Sequence, residues 1–97
     1  MSTIADILKI GRQNIGLNMS EVGRRLKINH SLLSRYESGD RLPTENHVNI
    51  LSEFYKIDRN KLYIELISEK ILKEVAKTSN PVATLMIVTD KMKRRGL

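Results

Sequence analysis

Residues 18–41, NMSEVGRRLKINHSLLSRYESGDR, decide the fold. They read as two short helices joined by a tight turn. Asn18 is placed to cap the first helix, and Glu21 stands at the third helical position, where it completes a reciprocal capping box. Leu17 and Val22 bracket that start as a hydrophobic staple. Asn29 repeats the cap at the second helix, with Ile28 and Leu33 as its staple. Only Lys27, Ile28 and Asn29 separate Leu26 from His30. A connection this short makes the two helices cross steeply.

The second helix has two different faces. At about 100° per residue, Asn29, Leu32, Leu33 and Tyr36 fall on one side. His30, Ser31, Ser34, Arg35 and Ser38 fall on the other. The polar face carries hydroxyls, an imidazole and a guanidinium, with no carboxylate. It suits the major groove of double-stranded DNA, whose base edges offer both donors and acceptors. Arg35 is the foremost base reader, since Arg pairs bidentately with guanine; a phosphate contact is the competing role. His30 and Ser31 sit at the helix start, and Ser34 and Ser38 face bases or phosphates. Leu32 lies at the apolar edge, where it packs or touches a thymine methyl.

Gly16-Leu17, Val22-Gly23, Leu26, Ile28, Ser34-Arg35-Tyr36-Glu37, Gly39 and Pro43 form an ordered set. With it the chain resembles, from about Ile7 to Leu62, the phage repressor and Cro-like (XRE-type) helix-turn-helix family. The resemblance implies that the second helix of the pair enters the major groove. It implies phosphate binding at Asn18, Met19 and Ser20, through the free N–H groups of a helix start. Arg41, Thr44 and Asn46 are further phosphate candidates in and after the following loop, together with Ser38. Related repressors pair an Arg of the first helix with a Glu ending the third; Arg12 and Glu37 occupy those positions, as a structural pair. Three residues depart from the family pattern. Met19 replaces the usual Gln, Lys27 the usual turn Gly, and Asp40 a residue that is often basic.

Working outward, the first helix spans about Thr3 to Asn14, with Ile4, Ile7, Leu8 and Gly11 on one face. After Gly39 comes a loop. A fourth helix, about Glu45 to Tyr55, turns Val48, Leu51, Phe54 and Tyr55 inward. Asp58 caps a fifth helix, with Ile57 and Leu62 as a staple. The reading is all-α: a compact five-helix repressor-like domain over residues 1–60, and a C-terminal helical extension over 61–97. Helical character continues to about Lys77, and Asn80-Pro81 starts a sixth helix that ends in basic residues. On the fifth helix, Leu62 and Leu66 can close the core. Tyr63, Ile64, Ile67, Ile71 and Val75 are left for another cover, along with Leu85 and Met86 of the sixth helix. These residues are the expected dimer interface.

Composition bounds the rest. A chain of 97 residues, 40% hydrophobic, fits one small domain with an appendage. It has no Trp and a single Phe, so its core is aliphatic. It has no Cys, and so neither disulfides nor a thiolate site. No signal peptide or membrane-spanning run is evident, and a soluble cytoplasmic protein is expected. The net charge is +6. Residues 1–60 hold 9 Lys/Arg against 7 Asp/Glu, and residues 61–97 hold 8 against 4. The excess favours an anionic partner, but weakly over the reading domain. His30 and His47 lack metalloenzyme spacing, and there is no Gly-rich phosphate loop. Neither an enzyme, a cofactor nor a metal is expected. The leading expectation is a dimeric repressor on a palindromic operator. The alternative is an antitoxin-like module that docks a partner protein through its C-terminal helices, with DNA binding secondary.

Overall fold

A computed structural model describes residues 3–97. Its elements are α1 (Ile4–Asn14), α2 (Met19–Leu26), α3 (His30–Ser38), α4 (Glu45–Tyr55), α5 (Arg59–Val75) and α6 (Pro81–Arg94). All six are helices, with no strand among the described residues. The chain divides into two compact units, residues 1–66 and 67–97, with α5 beginning in the first and ending in the second.

Each helix start is set by a side chain. Thr3 and Asp6 form a capping box on α1, as Asn18 and Glu21 do on α2. Asn29 caps α3 differently. Its Oδ1 accepts from the Ser31 N–H at 2.8 Å, and the third helical position is Leu32, which has no side-chain oxygen to accept from the Asn29 N–H. Thr44 accepts from the His47 N–H on α4. The Asp58 carboxylate accepts from the N–H groups of Asn60 and Lys61 on α5. The helix ends use the left-handed region. Lys27 (φ 56°) closes α2, Gly39 (φ 84°) closes α3 and Lys56 (φ 56°) closes α4. The two lysines hold a conformation that disfavours side chains.

The turn between α2 and α3 is tight for a steric reason. A Cβ on Gly23 would lie 2.6 Å from the carbonyl oxygen of Ile28. Only glycine lets the chain return this closely, and the Ile28 N–H then donates to the Gly23 carbonyl at 3.0 Å.

The core of the first unit collects one stripe from every helix: Ile4 and Leu8, Val22, Leu33 and Tyr36, Val48, Leu51 and Tyr55, Leu62 and Leu66, with Ile28 from the turn. Burying each such side chain contributes about 1.5–3 kcal/mol. On α4 the inward stripe is Val48, Leu51, Ser52 and Tyr55. This i, i+3, i+4, i+7 spacing leaves Phe54 at the edge, half-buried, and brings in Ser52. The Ser52 hydroxyl is satisfied by donating to the Asn49 carbonyl. Leu62 and Leu66 do close the core, both 0% exposed, so the compact unit reaches six residues past the expected boundary at 60. Tyr63 is only partly available for another cover: it packs against this core, with the Arg59 guanidinium 5.1 Å above its ring.

In the second unit α5 stops at Val75, slightly before Lys77. Lys77 and Thr78 close it with shorter-range bonds to Glu74 and Val75. Pro81 opens α6 under the Asn80 cap. No residue of α6 is buried.

Candidate nucleic-acid interface

Two cross-links fix α3. The Arg12 guanidinium donates to both carboxylate oxygens of Glu37, through Nε at 2.8 Å and Nη2 at 2.9 Å. Its Nη1 donates to the Leu17 carbonyl at 2.9 Å. One side chain of α1 therefore holds the end of α3 and the approach to α2. The side chains are 13% and 8% exposed, so water screens the pair little. The bond to Glu37 raises the Arg12 pKa further above its ordinary value. The second link joins Tyr36 and His47, with the phenol oxygen 2.6 Å from Nδ1 and the rings edge to face. It ties α3 to α4. Burial pushes the Tyr36 phenol up, while the N–H and hydroxyl of Thr44 and the charge of Arg41 pull it down. Tyr55, beside the Arg12–Glu37 pair, is pushed up to about 12 by burial and the Glu37 charge, with Arg12 opposing.

With its inner face so held, α3 turns His30, Ser31, Arg35 and Ser38 to solvent and leaves Ser34 half-covered. Ser31 and Arg35, with Leu32 and Arg41, line a shallow hollow of about 200 Å³. Arg41 reaches it because its N–H bonds the Arg35 carbonyl at 3.3 Å. The Ser31 hydroxyl donates to Asn29 Oδ1 at 2.6 Å, which leaves its oxygen free to accept. Ser38 is committed locally: its hydroxyl donates to the Arg35 carbonyl and accepts from the Asp40 N–H.

The candidates outside α3 fall into two groups. Asn18 and Ser20 are exposed on the first turn of α2, and Met19 is half-buried. The Asn18 side-chain oxygen accepts from the Glu21 N–H, leaving its NH₂ to donate outward. Thr44 and Asn46 are exposed at the start of α4. No hydrogen bond joins these two groups among the described residues.

Sequence reasoning missed two partners: His47 for Tyr36, and the Leu17 carbonyl as a third acceptor for Arg12. The first left a trace, since a tyrosine on an apolar helix face needs a partner for its hydroxyl. The second left none. No group of His, Cys, Asp and Glu suited to a metal occurs among the described residues, and no helix there is long and apolar enough to cross a membrane.

Two short helices joined by a three-residue turn, the second with a polar, carboxylate-free outer face, define a helix-turn-helix domain. The helix-turn-helix family model matches residues 8–62, and the chain belongs to that family, the XRE-type of phage repressors and Cro proteins. It is a DNA-binding regulator. No curated protein and no solved structure matches it.

Proposed function

We propose that the protein is a sequence-specific repressor that reads the major groove with α3, as a homodimer on a palindromic operator. The observation that carries this reading is the exposed Ser31, Arg35 and Arg41 group on a helix braced by Arg12–Glu37 and Tyr36–His47. A braced reading helix loses little entropy on binding, so its contacts convert to discrimination. Arg35 donates to a guanine, with His30, Ser31 and Ser34 on neighbouring bases. Asn18, Met19 and Ser20 on one side, and Ser38, Arg41, Thr44 and Asn46 on the other, hold phosphates.

Dimerisation draws on the apolar residues after Asn60. Ile64 is 63% exposed, Ile71 45%, Leu85 44% and Met86 67%, with Ile67 and Val75 half-buried. A two-fold partner presenting the same helices covers both sets. It also sets two copies of α3 about 34 Å, or a multiple of one turn, apart on DNA. The same exposed face favours the second reading, an antitoxin-like module docking a partner protein.

Selection of bound sequences from a random DNA library tests the first reading. A palindromic consensus is expected, and Arg35→Ala is expected to erase about 1–3 kcal/mol of discrimination at one base pair of each half-site. Equal weakening on selected and random DNA would assign Arg35 to a phosphate. Isolation from the host with a stoichiometric protein partner would favour the second reading.

A further inference from the structure

We propose that His47 is a further DNA contact, donating from Nε2–H to a phosphodiester oxygen, and that Tyr36 positions it by fixing its tautomer. The inference rests on the DNA-reading function above and adds a residue to it.

The argument is one of hydrogen-bond accounting. The Tyr36 ring is buried, 1% exposed, and its oxygen lies 2.6 Å from His47 Nδ1. One of the two must donate. A buried phenol O–H must find an acceptor, and His47 Nδ1 is the hydrogen-bond partner of this oxygen among the described residues. The phenol therefore gives its proton to Nδ1, which accepts through its lone pair. A neutral imidazole carries one N–H. With Nδ1 accepting, that hydrogen sits on Nε2.

Nε2 forms no bond among the described residues. Yet no buried side-chain nitrogen or oxygen among the described residues lacks a partner, so Nε2 opens to solvent. The surroundings suit an anion. The positive charge of Arg41 reaches the same phenol, and Asn46 is exposed next to His47. The adjacent carboxylate, Glu45, is engaged by Arg59 at 3.4 Å. The chain Tyr36, His47 and phosphate thereby links the reading helix to the DNA backbone through its buried side.

The test compares His47→Ala, His47→Gln and Tyr36→Phe on a selected operator and on a random duplex, with each variant's fold checked by thermal melting. His47→Ala is expected to weaken both DNAs about tenfold, the effect of losing a hydrogen bond to a charged group. The salt slope should stay unchanged, because a neutral donor releases no counterion. His47→Gln, whose amide N–H reaches where Nε2–H does, is expected to recover most of the loss. Nitrogen-15 NMR of the neutral ring should show the hydrogen on Nε2. In Tyr36→Phe the two tautomers should mix, with affinity falling about twofold as the competent fraction halves.

A ring protonated on Nδ1, a His47→Ala variant binding like the parent, or a loss confined to the operator would overturn the inference. Should Arg35-dependent discrimination persist in a His47→Ala variant of unchanged affinity, this inference alone fails. A parent protein with no affinity for DNA would overturn the wider reading as well.

Discussion

Residues 3–66 and residues 67–97 are both rich in apolar side chains, yet only the first set makes a core. In the first, every helix contributes a stripe that is at most 5% exposed, with Tyr36, Leu62, Leu66, Val22 and Val48 at 1% or less. In the second, no residue is buried. Composition does not explain the contrast, since Ile71, Leu72, Val82, Leu85, Met86, Ile87, Val88 and Met92 are as apolar as anything in the core. Geometry does. A buried side chain needs about 6–12 neighbours around it, and five crossing helix segments supply them where the last two cannot. On the first half of α6 the apolar residues also lie all round the helix, and such a helix is stable when something else encloses it.

The largest expected effect probes what holds the first unit. Arg12→Ala strands the Glu37 carboxylate, 8% exposed, at the end of α3. It is expected to lower stability by about 3–5 kcal/mol, where removing the exposed Lys9 changes it by less than about 0.5 kcal/mol. A double-mutant cycle with Glu37→Gln measures the coupling. A value near zero would make the pair a surface ornament and blur the contrast between the units.

Alkali should act on the first unit next. The buried Tyr55 phenol keeps its proton to about pH 12 in the folded state. Its stabilisation is complete below the unfolded tyrosine's value near 10, and about 2–3 kcal/mol is lost as pH climbs from about 10 to about 12. Chemical denaturation across that range reads the loss, and Tyr55→Phe should flatten its largest part.

Gly23→Ala forces a Cβ to within 2.6 Å of a backbone oxygen. About 2 kcal/mol of destabilisation is expected from the strain. A melting temperature equal to the parent's would mean that the turn relaxes freely. Lys27→Gly works in the opposite direction at the same turn. Relieving the left-handed lysine is expected to add up to about 1 kcal/mol, offset in part by the freer unfolded chain.

The smallest effect on folding belongs to the second unit. Ile71→Asp with Met86→Asp should change the folding stability of the first unit, measured in the full chain, by less than about 0.5 kcal/mol. The same pair should turn a dimer into a monomer in sedimentation equilibrium and weaken operator binding. A parent chain that is monomeric at micromolar concentration would remove the dimer from the proposal.

The sequence alone determined the features that depend on neighbours three or four residues apart. The caps at Asn18, Asn29, Asp58 and Asn80 and the stop at Gly39 all follow from short-range hydrogen bonding and local sterics. The six helices follow from the same signals and from 3.6-residue periodicity. The exposed polar face of α3 was legible for that reason too. Only the tertiary structure decided which side chains meet across helices. It put Ser52 inside and Phe54 at the rim, joined Tyr36 to His47, and gave Arg12 a second anchor on the Leu17 carbonyl. It also turned the Ser31 hydroxyl toward Asn29 and brought Arg41 beside Arg35. Those outcomes depend on crossing angles and on the reach of individual side chains, and neither is carried by spacing along the chain.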